Sequence, residues 1–162
     1  MGIKLRVRDN LQIAGQVCLR LLERETGRVV REVTQRNMVT NTGLGLLASR
    51  LADPTAYDGQ LSIIALGTAA TAPGSGNTAL GAEYVRVARY AASRSGPTIT
   101  VSAFFAAATA DCHVREVGVF GGAATAGVPG SGTLFARTLT DADNSAGLYD
   151  VSVDWTLSLA RG

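Results

Sequence analysis

The residues best suited to chemistry are the consecutive Asp111, Cys112 and His113. A thiol, an imidazole and a carboxylate together could form a nucleophilic site or part of a zinc site. Zinc would need two further ligands at suitable spacing, which the sequence does not offer. Adjacent residues on a strand also point to opposite faces, which separates Cys112 from His113. We therefore expect a structural histidine and two buried or half-buried thiols, Cys18 and Cys112, with a disulfide between them as the less favoured alternative.

Two other patterns could bind a ligand. Residues 43–48, Gly-Leu-Gly-Leu-Leu-Ala, fit a dinucleotide-binding loop, but that loop belongs to alternating strands and helices, and the segments that follow are strand-like and glycine-rich. Asp141, Asp143, Asn144 and Asp150 could hold calcium, yet their spacing is not that of an EF-hand, and turn formation explains them as well. No nucleophile signature such as G-x-S-x-G occurs. We therefore predict no enzyme, no cofactor and no metal.

These residues are carried by a chain whose composition is typical of a β-rich fold. Its 162 residues fit one domain, 1–162, and 46% apolar against 17% charged residues is enough for a packed core. Nineteen glycines and short apolar runs indicate many strands and turns. A net charge of +2 is too small to indicate nucleic acid or an anionic membrane as a partner. No run is apolar enough to span a bilayer.

The first ten residues are predicted to form an arm strand. Apolar and basic side chains alternate there with the period of two that places them on opposite faces. The apolar members are Ile3, Leu5 and Val7, and the basic ones are Lys4, Arg6 and Arg8. Such a strand can add to the sheet of a neighbouring copy through its free backbone groups.

The rest of the chain is predicted to contain strands and one helix of about 42–53, capped by Asn41 or Thr42 and ended by Pro54. Gly27, which can take a positive φ, is expected to close a hairpin between the first two strands. Strands are predicted at 12–24, 29–35, 61–67, 84–92, 98–107, 113–120, 133–138 and 148–159. The expected fold is therefore all-β or β-dominated, an antiparallel sandwich or barrel-like sheet with one packed α-helix.

Two loops rich in glycine, alanine and threonine, 68–77 and 121–132, are long for a compact domain. Small side chains lose little entropy on ordering, so either loop could order at a subunit interface; a flexible surface loop is the alternative. Trp155, on the apolar face of the last strand, is expected to anchor the core or a subunit contact.

A strand-like run at 114–122, VREVGVFGG, ends in paired glycines and is accompanied by four other distinctive segments. They are 37–44 (NMVTNTGL), 64–86 (from IALGT to TALGAEYVR), 132–137 (GTLFAR) and 151–157 (VSVDWTL). In this order they resemble the tail-collar and tail-fibre proteins of tailed bacteriophages. The resemblance covers roughly residues 27–160, and in those proteins the run at 114–122 is a structural strand.

The resemblance implies a structural component of a virion, made in the host cytoplasm. It would be a tail-fibre or baseplate-attached adaptor that forms a homotrimer and binds other virion proteins. A capsid decoration protein is one alternative, and a carbohydrate-binding β-sandwich module is another. The predicted contact residues are Ile3, Leu5, Val7, Pro73, Arg115, Phe120 and Trp155.

Overall fold

A computed structural model of the protein describes residues 10–53 and 60–161. The predicted arm residues Ile3, Leu5 and Val7, and Pro54 after the helix, lie outside the described residues. The described chain forms ten strands and one helix. The elements are β1 (Leu11–Glu23), β2 (Val29–Arg36), β3 (Met38–Val39), α1 (Asn41–Ala52), β4 (Ile63–Gly67), β5 (Glu83–Ala88), β6 (Ala91–Ser95), β7 (Thr98–Phe105), β8 (His113–Gly121), β9 (Thr133–Asp143) and β10 (Tyr149–Arg161).

The strands form two five-stranded sheets in which the neighbouring strands are antiparallel. Sheet A has the order β2-β1-β10-β7-β6, and sheet B has the order β3-β9-β8-β4-β5. The main core combines residues of both sheets, as two packed layers require. The predicted fold class, a β-dominated antiparallel sandwich with one helix, is confirmed.

Strands β1 and β10 form the longest pairing, from Leu11 opposite Arg161 to Glu23 opposite Tyr149. Their alternate residues are buried in the core, and Trp155, fully buried at 0% exposure, is the largest of them. Of the two roles predicted for Trp155, the core is therefore correct, and the side chain offers no surface to a partner.

The predicted hairpin joins β1 to β2. Its turn is closed by the Glu23 and Arg28 backbones, whose N···O distance is 2.9 Å, and Gly27 adopts a φ of 68°. That value lies in the left-handed region, which glycine occupies without steric cost. The turn chemistry read from the sequence is confirmed.

The helix begins one residue earlier than predicted, and its cap differs accordingly. The N-cap is Thr40 rather than Asn41 or Thr42, and its hydroxyl accepts the Gly43 N–H at 3.0 Å. The same hydroxyl donates to the carbonyl of Leu134 on β9 at 2.7 Å. Thr40 is thus fixed by a tertiary contact as well as by the helix.

One predicted strand, 84–92, is two strands that belong to different sheets. β5 leaves sheet B after Ala88, and β6 enters sheet A at Ala91. Between them, Arg89 N–H bonds the Ser62 carbonyl at 2.9 Å, and Tyr90 N–H bonds the Ser102 carbonyl at 3.0 Å. The bend closes this side of the sandwich. The predicted end at residue 92 was too early because the exposed small residues of β6 show no alternation.

Strand β9 also runs further than predicted, to Asp143 instead of residue 138. Its extension pairs with β8, His113 standing opposite Asp143, across an irregularity between Val114 and Glu116. Asp141 and Asp143 therefore lie on a strand, and the turn begins only at Asn144.

Strand β8 is buried on both faces, as its apolar residues predicted. Val114, Val117 and Val119 lie in the main core, whereas Phe120 belongs to a second, smaller cluster. The other buried members of that cluster are Ile63, Ala65, Leu80 and Leu134. Phe120 is 1% exposed, so its predicted contact role is wrong for this fold. We call the side of sheet B that carries Phe120 its outer face.

Candidate functional site

Two long connections cover the outer face of sheet B: the first long loop, 68–82, and the second long loop, 122–132. They contain the two candidate interface loops predicted from the sequence, except Gly121, which is the last residue of β8. Each is attached to the sheet by a buried arginine, and the segments that carry the family resemblance supply the attachment residues.

A buried ion pair anchors the first long loop. Glu116 of β8 and Arg137 of β9 are separated by 2.7 Å, and their side chains are 0% and 2% exposed. The Glu116 carboxylate also accepts the backbone N–H groups of Gly81 at 3.0 Å and Ala82 at 2.8 Å. The loop's last residues are therefore tied to the middle of the sheet.

Arg137 holds the earlier part of the same loop. Its guanidinium donates to the Thr71 carbonyl at 2.9 Å and to Asn77 Oδ1 at 3.1 Å. Asn77 Oδ1 in turn accepts the Gly74 N–H at 2.7 Å, which closes a turn within the loop. Arg137 thus contacts the loop at two points, and Asn77 links a third point to them.

The second long loop is held in the same manner by Arg86 of β5. The guanidinium forms an ion pair with Glu83 at 2.5 Å and donates to the carbonyl and hydroxyl of Ser131 at 2.8 and 2.9 Å. Its carbon lies 4.6 Å from the centre of the Phe120 ring, a cation–π distance. Arg86 therefore joins the loop to the smaller core.

A glycine is required where the first long loop meets β4. A Cβ on Gly67 would lie 2.6 Å from both the Ala82 carbonyl and Glu116 Oε1. No side chain fits at that distance, so the Leu-Gly-Thr segment needs its glycine for the Glu116 carboxylate to approach the loop.

The two ion pairs fix geometry more than they add stability. Removing charges from water costs several kcal/mol per ion, which a buried pair roughly recovers. Deleting one partner leaves the other charge buried and is strongly destabilising. The network can therefore hold two loops in one arrangement, and its buried groups have little access to a substrate.

The predicted contact residues are not brought together at one place. Pro73 is half-buried in the first long loop, and Arg115 is exposed on β8. Phe120 and Trp155 are inside the protein. Reasoning from sequence missed the anchors Glu116, Arg137 and Arg86. Glu116 could have been found, because a charged residue within a strand that is apolar on both faces needs a buried partner.

The histidine has a structural partner. His113 Nε2 lies 2.6 Å from Asp141 Oδ1, and the two side chains are 32% and 75% exposed. The hydrogen bond from His113 lowers the pKa of Asp141 below its usual value. Cys18 and Cys112 are free thiols, as favoured from the sequence. Burial raises the pKa of Cys112 to about 11, which leaves its thiol protonated and unreactive at neutral pH.

The acidic segment that could have held calcium is the end of β9, the turn after it and the start of β10. Asn144 is buried, donates to the carbonyls of Ala110 at 2.9 Å and Tyr149 at 2.7 Å, and accepts the Tyr149 N–H at 3.0 Å. Ser145 N–H bonds Asp143 Oδ1 at 3.0 Å, as in an Asx turn. Within residues 10–53 and 60–161, no three His, Cys, Asp or Glu side chains are grouped as a metal site would require.

Three aromatic side chains are more exposed than their strand positions suggested. Tyr84, Tyr90 and Phe104 are 48%, 68% and 45% exposed, and all lie on or beside β5 to β7. The Tyr84 side chain has a partner, since its hydroxyl donates to Asp111 at 2.7 Å.

The helix in the described part of the chain is too short to cross a membrane.

Comparison of the chain with protein families, with curated proteins and with solved structures finds no match.

Proposed function

We propose that the protein is a structural component of a tailed-phage virion, a tail-fibre or baseplate-attached adaptor that acts through protein contacts. It works by presenting two rigid loops and the sheet that bears them to other virion proteins. No turnover of a substrate is involved.

One observation supports this proposal above the others: three of the five segments that resemble tail-collar and tail-fibre proteins meet in a single buried network. Glu116 comes from the VREVGVF run, Arg137 from GTLFAR, and Gly81 and Ala82 from TALGAE. Thr40 from the NMVTNTGL segment reaches the same strand as Arg137. The residues of the resemblance are thus the ones that attach the loops, as expected if it reflects a shared way of building a rigid surface.

The chemistry of the loops is consistent with that role. Their small residues lose little conformational entropy, and buried arginines fix their positions before any partner arrives. A preformed surface avoids much of the ordering cost of association, which suits permanent assembly.

Immunogold labelling of purified phage particles with antibodies against this chain tests the proposal. Gold at the tail or baseplate is the expected result. Gold over the head would contradict the adaptor role and favour a capsid decoration protein. Particles that carry no label, together with a specific hit on a glycan array, would replace the virion role with carbohydrate binding.

A further inference from the structure

The first half of β1 has an open edge. β2 pairs with β1 only from Gln16 to Leu22, whereas the β10 pairing on the other side extends back to Leu11. The last contact on the β2 side is the Asn37 N–H, which bonds the Gly15 carbonyl at 3.1 Å. No described strand continues this edge toward Leu11.

The backbone of this edge is oriented to receive another strand. In a strand, alternate residues direct both their N–H and C=O groups to the same side. Because Gly15 directs its carbonyl toward Asn37, Ile13 and Leu11 direct theirs to the same open side. These groups can pair with an added strand in the way that β2 pairs with the rest of β1.

An apolar groove of about 550 Å³ lies beside the open edge. It runs between β1, β3 and α1 and is lined by Leu11, Ile13, Met38, Leu44, Leu47 and Leu51, among others. Four of these are large apolar side chains exposed to solvent: Leu11 at 63%, Met38 at 41%, Leu44 at 47% and Leu51 at 80%. A concentration of exposed apolar residues on one surface marks a contact site.

We infer that this groove and edge bind the N-terminal segment, residues 1–9, of a second copy of the chain as an added strand. The occupant must be extended, with apolar side chains at every second position toward the groove. Ile3, Leu5 and Val7 have that spacing, and the basic residues between them would face water. The segment joins the described chain next to Leu11, at the rim of the groove. Nine extended residues reach roughly 30 Å, enough to cross to a neighbour.

The connection to β1 favours a second copy over the same chain. A two-residue turn at Asp9 and Asn10 would pair Arg8 with Leu11 and Arg6 with Ile13. Directly paired residues share a face, so the basic side chains would enter the apolar groove. A three-residue turn corrects the face but requires a left-handed conformation at Asn10, and among the described residues only glycines have a positive φ. A segment from another copy meets neither restriction.

The exchange also limits how copies assemble. Each copy would give one segment and receive one, which two copies can satisfy by a reciprocal exchange and three or more by a closed head-to-tail ring. A ring of three would be the homotrimer expected from the sequence. This inference does not depend on the proposed virion role, because labelling of particles and assembly of the purified chain are separate measurements.

Cross-linking of single-cysteine variants of the full chain tests the site. Leu5→Cys and Leu44→Cys are made separately in a background that carries Cys18→Ser and Cys112→Ala, mixed, and treated with a short bismaleimide. The expected product is a covalent dimer whose linked peptides contain positions 5 and 44. The matched control replaces Leu44→Cys with Val29→Cys, which is 46% exposed and lies on β2 opposite Leu22, far from the groove, and it should give no dimer.

The mass in solution provides the second measurement. The wild-type chain should be a discrete oligomer, and either Leu5→Lys with Val7→Lys or Leu44→Lys should reduce it to the monomer mass. Leu148→Lys, at a position 60% exposed elsewhere, should leave the oligomer unchanged. The inference is overturned if the linkage forms only within a double variant, since the segment then binds its own chain. The inference is also overturned if the oligomer mass is the same with and without the Leu5→Lys and Val7→Lys changes, or if the wild-type chain is a monomer.

Discussion

Replacing Glu116→Gln should unlock the first long loop and destabilise the fold. The amide keeps the shape of the side chain but removes its charge, so Arg137 stays buried without a counter-ion. Glutamine has only one acceptor oxygen, so its amide nitrogen would face one of the two backbone N–H groups that Glu116 now accepts, from Gly81 and Ala82. Three hydrogen bonds to a buried carboxylate are thus weakened by one change.

The expected magnitude follows from the burial of both partners. Breaking a buried ion pair by removing one partner costs about 3–5 kcal/mol. In a domain of this size each kcal/mol lowers Tm by roughly 2–4 °C, so Tm should fall by about 6–20 °C. Circular dichroism on heating measures the change. Hydrogen exchange with mass spectrometry should show lost protection at Gly81 and Ala82. Adding Arg137→Met should recover part of the loss, because the unpaired cation is gone.

Glu32→Gln is the matched control. Glu32 also forms an ion pair with an arginine, Arg20, at 2.7 Å, but its side chain is 51% exposed. A surface pair contributes up to about 1 kcal/mol, so Tm should fall by no more than about 4 °C. If Glu116→Gln behaves like this control and the loop amides keep their protection, the ion pair does not anchor the loop.

Three further variants test separate parts of the structure. Arg86→Lys loses the forked contacts of the guanidinium, so hydrogen exchange should accelerate in the second long loop and stay unchanged in the first. Gly67→Ala should lower the urea-derived free energy of unfolding by about 1–3 kcal/mol, whereas Gly76→Ala, with open space around it, should be near neutral. The hydrogen bond from His113 lowers the pKa of Asp141 in the folded protein. The ionised Asp141 side chain therefore stabilises the fold above its unfolded-state pKa, and this stabilisation is lost as the pH falls through its folded-state pKa. Asp141→Asn should lower Tm at neutral pH but not in strong acid.

The sequence predicted the elements whose signals are local. The alternation in β1 and β10 separates a core face from a polar face, and the turn at Gly27 needs nothing beyond its own residues. The helix was predicted one residue late, because Thr40 is chosen as the cap partly by its bond to Leu134 on a distant strand. Contacts between remote segments leave no periodic pattern in a single chain.

The candidate site was harder to predict for the same reason. Arg86 and Arg137 look in the sequence like ordinary surface cations, and only the return of the two long loops over sheet B buries them. The bend between β5 and β6 also depends on remote backbone partners, the carbonyls of Ser62 and Ser102. The sequence does show that Glu116 lies among apolar strand residues, so a buried partner could be predicted. It does not show which residue is that partner.

The β1 and β10 ladder has a mechanical consequence. Leu11 lies opposite Arg161 at one end of the ladder. A force that pulls these two residues apart would therefore break the hydrogen bonds between the strands one after another, starting from that end. Force applied along the strands at opposite ends of the ladder, at Leu11 and Tyr149, would load its hydrogen bonds together and be borne better. The same neighbourhood has a practical side: an affinity tag or fluorescent reporter fused near either position would emerge beside the groove and crowd it.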